Sequence, residues 1–144
     1  MDESTLRVLL LDDDPVAADE VLAILGRSRL PPVLAERGCA SADSVPEPAV
    51  RRFDVVLVDV GDGHPSQLST LDQILQRCGQ TPVVALTSVN DLELGDRLVR
   101  SGAHGWLVRP GLTGGSLRRA VRKAAESTPK DWILAEYVGS PGAS

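Results

Sequence analysis

Aromatic residues are scarce in this chain of 144 residues, which has one Phe, one Tyr and two Trp. Proteins that bind single-stranded nucleic acid stack the bases on aromatic side chains, and this chain offers no such platform. Its formal net charge is −5, whereas general binding to nucleic acid or to a membrane surface favours a basic face. We therefore expect no direct nucleic-acid or membrane partner.

Cysteine is equally sparse, and no familiar catalytic set is present. Cys39 and Cys78 are isolated, which is typical of reduced thiols in a cytosolic protein. His64 and His104 have no partners at metal-binding spacing, and no Ser-His-Asp or Cys-His arrangement is evident. The sequence shows neither a signal peptide nor an apolar stretch long enough for a membrane span. We expect a cytoplasmic protein.

Short apolar runs recur along the chain and predict five strands. Three of them are continuous runs of Val, Leu and Ala without alternation, which is typical of strands buried on both faces. The predicted strands are Arg7–Leu11, Pro32–Ala35, Asp54–Val58, Pro82–Leu86 and Gly105–Val108.

Helical periodicity fills the segments between the strands. The predicted helices are one through Ala18–Leu25 that ends at Gly26, a weak one near Ala49–Arg52, one over Leu68–Cys78, one from Asn90 to Gly102 with Glu93 completing a capping box, and one over Thr113–Glu126. This alternation predicts an α/β domain over residues 1–126, with a parallel sheet and helices on both faces. Residues 127–144 read as a tail or linker, with a short helix possible over Asp131–Val138.

Three consecutive aspartates, Asp12 to Asp14, follow the apolar run 8–11 and precede Pro15. Carboxylates this close repel one another, and each pKa rises unless a cation lies among them. One aspartate is explained as the N-cap of the next helix, with Pro15 at its first position. The other two favour a hard divalent cation bound through oxygen, although capping and helix-dipole effects are the simpler alternative.

Other strands also end in groups suited to phosphate chemistry. Asp59 follows the third strand, Thr87-Ser88 the fourth and Arg109-Pro110 the fifth. In an open parallel sheet, ligands bind beyond the carboxyl ends of the strands. The sequence therefore predicts three carboxylates, a hydroxyl and a cation at one sheet edge. Taken singly, Thr87 and Arg109 also suit a strand-ending turn and a surface cation.

The sequence resembles the response-regulator receiver domains of bacterial two-component signalling. The matching segments are 9–15 (LLLDDDP), 53–60 (FDVVLVDV), 81–88 (TPVVALTS) and 102–110 (GAHGWLVRP), within a similarity that covers about residues 5–126. The resemblance implies a flavodoxin-like, doubly wound five-stranded sheet of strand order 2-1-3-4-5. It also implies a signalling protein rather than an enzyme.

Site roles follow from this resemblance, position by position. It implies that Asp59 is the phospho-acceptor, that Thr87 and Arg109 contact the phosphoryl group, and that Trp106 is an aromatic switch residue, for which plain packing is the alternative. For Mg²⁺ it implies direct binding by Asp13, largely water-mediated binding by Asp12, and further ligands from Asp59 and the Gly61 carbonyl. A carboxylate nucleophile gives an aspartyl-phosphate, which is a reversible mark.

The partners implied are a sensor histidine kinase or a histidine phosphotransfer protein as donor. A second copy of the chain is a further expected partner, through the predicted fourth helix, fifth strand and fifth helix. The large aromatic Trp106 among outward charges of both signs suits a modest symmetric contact.

Two features depart from the family pattern. The family has a lysine where this chain has Arg109, and the exchange is not conservative because the guanidinium is longer, planar and bidentate. The loop after the acceptor is also rebuilt, with Asp62, Gly63 and Gln67 in place of the usual hydrophobic residue, proline and glycine. A degenerate receiver that acts without phosphorylation is therefore the alternative. A haloacid-dehalogenase-like phosphatase requires a second Asp where Gly61 stands, which argues against that class.

Overall fold

The computed structural model describes residues 5–26, 33–41 and 53–126, which form one α/β layer structure. Its elements in chain order are β1 (Leu6–Leu11), α1 (Pro15–Gly26), β2 (Val33–Gly38), β3 (Val55–Gly61), α2 (Pro65–Cys78), β4 (Val83–Thr87), α3 (Leu92–Ser101), β5 (Gly105–Val108) and α4 (Gly114–Ala125). The predicted helix near Ala49–Arg52 and the predicted tail 127–144 lie outside the described residues. Within the described ranges, no helix has the length and apolarity needed to cross a bilayer.

The five strands form one sheet in the order β2-β1-β3-β4-β5, and the four strand pairs are all parallel. This confirms the fold class and the strand order. Because parallel neighbours run in the same direction, all carboxyl ends lie at one edge of the sheet, and chemistry carried by the strand ends is gathered there.

Both faces of the sheet are covered, and successive residues of each central strand enter different cores. Leu9 and Leu11 of β1 pack in the core on the α2 and α3 side, whereas Val8 and Leu10 pack in the core with α1 and α4. Strands covered in this way need apolar side chains on both faces. The continuous apolar runs in the sequence have this cause.

The prediction for the second strand was wrong in its bounds. Pro32–Ala35 was predicted, whereas β2 runs from Val33 to Gly38 and pairs with β1 up to Leu11 opposite Gly38. Glu36 and Arg37 belong to the strand although they are charged. An edge strand pairs on one side only and exposes much of its surface, so charged side chains are compatible with it.

The prediction for the start of α3 was wrong by one residue. Asp91, not Asn90, is the N-cap, and its carboxylate accepts hydrogen bonds from the backbone N–H groups of Glu93 (2.9 Å) and Leu94 (3.3 Å). Both residue types are good caps, so adjacent candidates compete. The last helix was predicted to begin at about Thr113, and Thr113 is the N-cap of α4, with its hydroxyl accepting from the Ser116 N–H at 3.1 Å.

A close contact joins α3 to β5. The indole of Trp106 lies against Gly95, and a Cβ atom at position 95 would overlap the ring. Trp106 is half-buried and packs on the core beneath α2 and α3. A glycine in a helix interior costs stability relative to alanine, so its presence here is explained by the indole that it admits.

We predict that Gly95→Ala destabilises the fold by about 1–3 kcal/mol, because the ring must leave its position or force the helix away. Gly115→Ala is the matched control: position 115 is also helical but open, and alanine there should stabilise by about 0.5–1 kcal/mol. Denaturant unfolding measures both effects. Tryptophan emission in a Trp132→Phe background reports the displacement of Trp106, and an unchanged spectrum with unchanged stability would contradict this packing.

Candidate functional site

The carboxyl edge of the sheet holds a cavity of about 370 Å³. Its walls come from the ends of β1, β3 and β5, from the loop after β2 and from the first turns of α2. The lining residues are Asp12, Asp13, Asp14, Ala40, Val58, Asp59, Gly61, Ser66, Gln67, Thr70 and Arg109. The structure thus brings together all the residues predicted at this edge except Thr87, Ser88 and Pro110.

Asp59 and Arg109 form an ion pair at the centre of this cavity. The distance from Arg109 Nε to Asp59 Oδ2 is 2.6 Å, and the two side chains are 24% and 8% exposed. Neither atom has an aligned hydrogen-bond partner within the described residues, so the contact is one of charge rather than a directed hydrogen bond. The guanidinium covers Oδ2, and this oxygen therefore becomes accessible to another group only if Arg109 shifts.

The other oxygen of Asp59 is held by the local backbone. Oδ1 accepts the N–H of Gly61 at 2.8 Å. Gly61 has φ of +57°, a conformation that favours glycine, and the pairing of β3 with β4 shifts register between Asp59 and Gly61. This irregularity turns the chain so that the carboxylate is fixed at the strand end.

Arg109 is fixed through its backbone at the end of β5. Its N–H donates to the Thr87 carbonyl at 2.8 Å, and its own carbonyl accepts from Leu112 N–H at 2.9 Å. The turn passes through Gly111, which has φ of +84°. The long side chain is thus anchored at its base, and only its own torsions can move the guanidinium.

The three aspartates after β1 have separate structural roles. Asp14 is the N-cap of α1, and its Oδ1 accepts from the N–H groups of Val16 (3.0 Å) and Ala17 (3.4 Å). Asp13 Oδ1 accepts from Ala40 N–H at 2.9 Å, which ties this loop to β2. Asp12 Oδ1 accepts from the Asp14 N–H at 3.0 Å. The capping interpretation therefore accounts for one carboxylate only.

Asp12 is the most constrained of these charges, because it is only 5% exposed and its Oδ2 is buried without a partner among the described residues. Burial raises the pKa of its carboxyl above the ordinary value, and the nearby charge of Asp59 acts in the same direction. The Asp14 N–H and the Arg109 charge oppose this increase in pKa but do not reverse it.

The donor set fits a hard divalent cation in chemistry, since Asp12 and Asp59 present carboxylate oxygens in one cavity and Asp12 Oδ2 lacks a partner. The geometry is not that of a ready-made metal site: within the described part of the chain, no three His, Cys, Asp or Glu side chains are grouped to hold an ion. Asp13 binds Ala40, and the Gly61 carbonyl accepts the Ser88 N–H at 2.8 Å.

Thr87 and Trp106, the two switch candidates, lie outside the cavity lining. Thr87 is fully buried, and its hydroxyl donates to the Val89 carbonyl at 2.8 Å, with a longer contact to the Leu107 carbonyl at 3.4 Å. Trp106 packs inward against Gly95. The hydroxyl thus bonds the loop after β4 rather than a residue of the cavity lining.

Polar residues of α2 line the cavity although sequence reasoning did not assign them. Ser66, Gln67 and Thr70 project from its first two turns. The sequence held a signal for these residues, because they occupy positions i, i+1 and i+4 of the helix that follows β3. Polar residues at this spacing form one patch on a helix, near the end of that strand.

No protein-family model matches the sequence. The chain is 29% identical to the response regulator protein PilR of Pseudomonas aeruginosa in an alignment of 136 positions that covers 89% of this chain. It spans only 29% of that protein's length.

Solved structures share the fold at low identity. The receiver domain of the Francisella response regulator 1452 has a TM-score of 0.65 at 18% identity, covering 84% of this chain and 97% of that one. The pilus assembly protein CpaE of Caulobacter crescentus has a TM-score of 0.60 at 22% identity, covering 82% and 90%. The resemblance to receiver domains is therefore confirmed as a likeness of fold. Because a fold hosts several functions, the role of this chain depends on its site.

We predict that Asp12→Asn stabilises the protein at neutral pH in a buffer without divalent ions. When the pKa of a carboxyl is raised in the folded state, the protein keeps its full free energy of unfolding at a pH below the ordinary pKa of 3.8. The free energy of unfolding falls as the pH rises through the raised pKa, because the folded protein must then carry the buried charge. The asparagine does not titrate and still accepts the Asp14 N–H. Thermal unfolding should show a gain at pH 7 that shrinks toward pH 3.8, and Asp72→Asn, at an exposed position, is the control. An equal gain at both pH values would contradict the burial argument.

Proposed function

We propose that this chain is a phospho-accepting receiver domain, with Asp59 as the acceptor. The observation that carries the proposal is the ion pair of Asp59 with Arg109 beside the buried carboxylate of Asp12, in one cavity at the carboxyl edge of the sheet. Phosphoryl transfer depends chiefly on positioning and on the neutralisation of oxygen charge, and this edge offers a fixed carboxylate and a fixed cation. The chain acts as a signalling module and not as an enzyme.

The phosphoryl donor is the phosphohistidine of a sensor kinase or of a histidine phosphotransfer protein. An Asp59 oxygen attacks phosphorus, the P–N bond to the histidine breaks, and the nitrogen keeps the bonding electrons. The guanidinium of Arg109 moves from the attacking oxygen to the phosphoryl oxygens, where planar donors bind well. Asp12, Asp13 and Asp59 would hold a Mg²⁺ ion, with the Gly61 carbonyl as a further ligand, and the ion's contribution is to offset charge on the phosphoryl group.

The response involves the far side of the sheet. After phosphorylation, the Thr87 hydroxyl exchanges the Val89 carbonyl for a phosphoryl oxygen, and the loop after β4 loses a hydrogen bond at 2.8 Å. Trp106 lies on the neighbouring strand, against α3. On that helix Leu92 is 76% and Val99 49% exposed, an apolar surface suited to a second copy of the chain. Dimerisation through α3, β5 and α4 is therefore part of the proposal.

A degenerate receiver is the second candidate, and a specific observation favours it. Arg109 pairs with Asp59 at 2.6 Å and neutralises its charge. A chain in which this pair never opens would present one fixed surface and act as a protein-interaction module. The two candidates differ in whether Asp59 accepts a phosphoryl group.

We predict that incubation with a small phosphoryl donor and Mg²⁺ adds the mass of one phosphoryl group to the protein, because Asp59 is the carboxylate held at the strand end. Intact mass spectrometry measures the adduct. Asp59→Asn should remain unmodified, and Asp62→Asn, an exposed neighbour on the same loop, should be modified like the wild type. An adduct that persists in Asp59→Asn would place the acceptor elsewhere, and a wild type that stays unmodified would favour the degenerate receiver.

A further inference from the structure

Gln67, on the first turn of α2, faces the acceptor loop from a helix that the family resemblance leaves without a role. Its side chain is half-buried and lines the same cavity as Asp59 and Arg109. It lies against Gly61, whose N–H holds the Asp59 carboxylate. The amide is therefore in the immediate surroundings of the acceptor.

The orientation of this amide is fixed by a hydrogen bond. Gln67 Oε1 accepts a hydrogen bond from the backbone N–H of His64 at 2.8 Å, and only the oxygen end of an amide can accept that hydrogen bond. The nitrogen end consequently faces Gly61, with Nε2 2.5 Å from the point that a Cβ at position 61 would occupy. Only glycine at 61 leaves room for this arrangement. The side-chain NH₂ group thus takes the volume that another residue's side chain would fill.

A phosphoryl group on Asp59 would need hydrogen-bond donors at this place. It brings charged oxygens into a cavity that already holds three aspartates besides Asp59. The Thr87 hydroxyl donates to the Val89 carbonyl and lies outside the lining. Arg109 and the amide of Gln67 are the side-chain nitrogen donors of the described lining. Donors aimed at phosphoryl oxygens form short, charge-assisted hydrogen bonds.

We propose that Gln67 is a further phosphoryl-binding residue, whose NH₂ group donates to an oxygen of the phosphoryl group on Asp59. The inference rests on the proposed phospho-acceptor function. It adds a hydrogen-bond donor that comes from a helix, whereas Arg109 follows the end of a strand. The hydrogen bond to His64 holds the amide in place before the phosphoryl group arrives, so little ordering is needed on transfer.

A purely structural role makes a different prediction. Gln67 is the third helical residue and closes a capping box with His64, a position in which glutamate serves as well as glutamine. Gln67→Glu keeps an oxygen to accept the His64 N–H and replaces the NH₂ donor with a second oxygen. This variant therefore preserves the cap and removes the proposed phosphoryl contact.

The experiment compares phosphorylation of wild type, Gln67→Glu and Gln67→Ala by a small phosphoryl donor with Mg²⁺, followed by intact mass over time. Gln73→Glu is the matched control, because residue 73 is exposed on the same helix and outside the cavity lining. Gln67→Glu and Gln67→Ala should be phosphorylated about tenfold or more slowly than the wild type, because each lacks one charge-assisted hydrogen bond to the phosphoryl group. Gln73→Glu should be labelled at the wild-type rate.

The outcomes separate this inference from the function on which it rests. Wild-type rates in Gln67→Glu, or slow labelling confined to Gln67→Glu while Gln67→Ala behaves as wild type, would overturn the donor role and leave Asp59 as acceptor. Slow labelling of Gln67→Glu alone would show that the added carboxylate repels the phosphoryl group and that the NH₂ group has no role. A wild type that is never labelled would overturn the proposed function and this inference together.

Discussion

The contact between Arg109 and Asp59 is the interaction on which the rest of the site depends. Two strands that are not neighbours, β3 and β5, deliver these residues to one edge across β4, and the guanidinium lies 2.6 Å from the carboxylate oxygen. In a poorly solvated cavity such a contact is stronger than on an exposed surface. It fixes the Asp59 carboxylate, because the guanidinium lies against Oδ2 and Oδ1 accepts the Gly61 N–H.

The same sheet connects the edge to a distant surface. Thr87 ends β4 opposite Val108, and two residues earlier in the register Ala85 lies opposite Trp106. Thr87, whose hydroxyl bonds the loop after β4, and Trp106, whose indole packs on α3, therefore lie on two adjacent hydrogen-bonded strands. Thr87 contacts the loop that precedes α3 through Val89, and its carbonyl accepts the N–H of Arg109 at the end of β5.

The central strands and the gathering of charges could be predicted from the sequence, because each has a local cause. Strands buried on both faces must be continuously apolar, and parallel strands must end at one edge. The bounds of β2 and the cap of α3 were less predictable, since Glu36 and Arg37 have no apolar signal and Asn90 and Asp91 are both good caps. The orientation of Thr87 depends in part on a tertiary contact with Leu107, which no local pattern reveals, whereas the polar positions 66, 67 and 70 gave a local signal for the place of Gln67. The strand order places Arg109 and Asp59 at the same edge of the sheet. The short distance between their side-chain atoms depends on the length and torsions of the arginine side chain.

A double-mutant cycle of Arg109→Ala and Asp59→Asn, measured by denaturant unfolding without divalent ions, tests the central ion pair most directly. If the two groups neutralise each other in the resting protein, each single change leaves a poorly solvated charge without its partner, and the double change costs less than the sum. We predict a coupling of about 1–3 kcal/mol, the range found for residues in contact. Effects that add within about 0.5 kcal/mol would contradict the account, because they would mean that Arg109 and Asp59 do not interact in the folded protein.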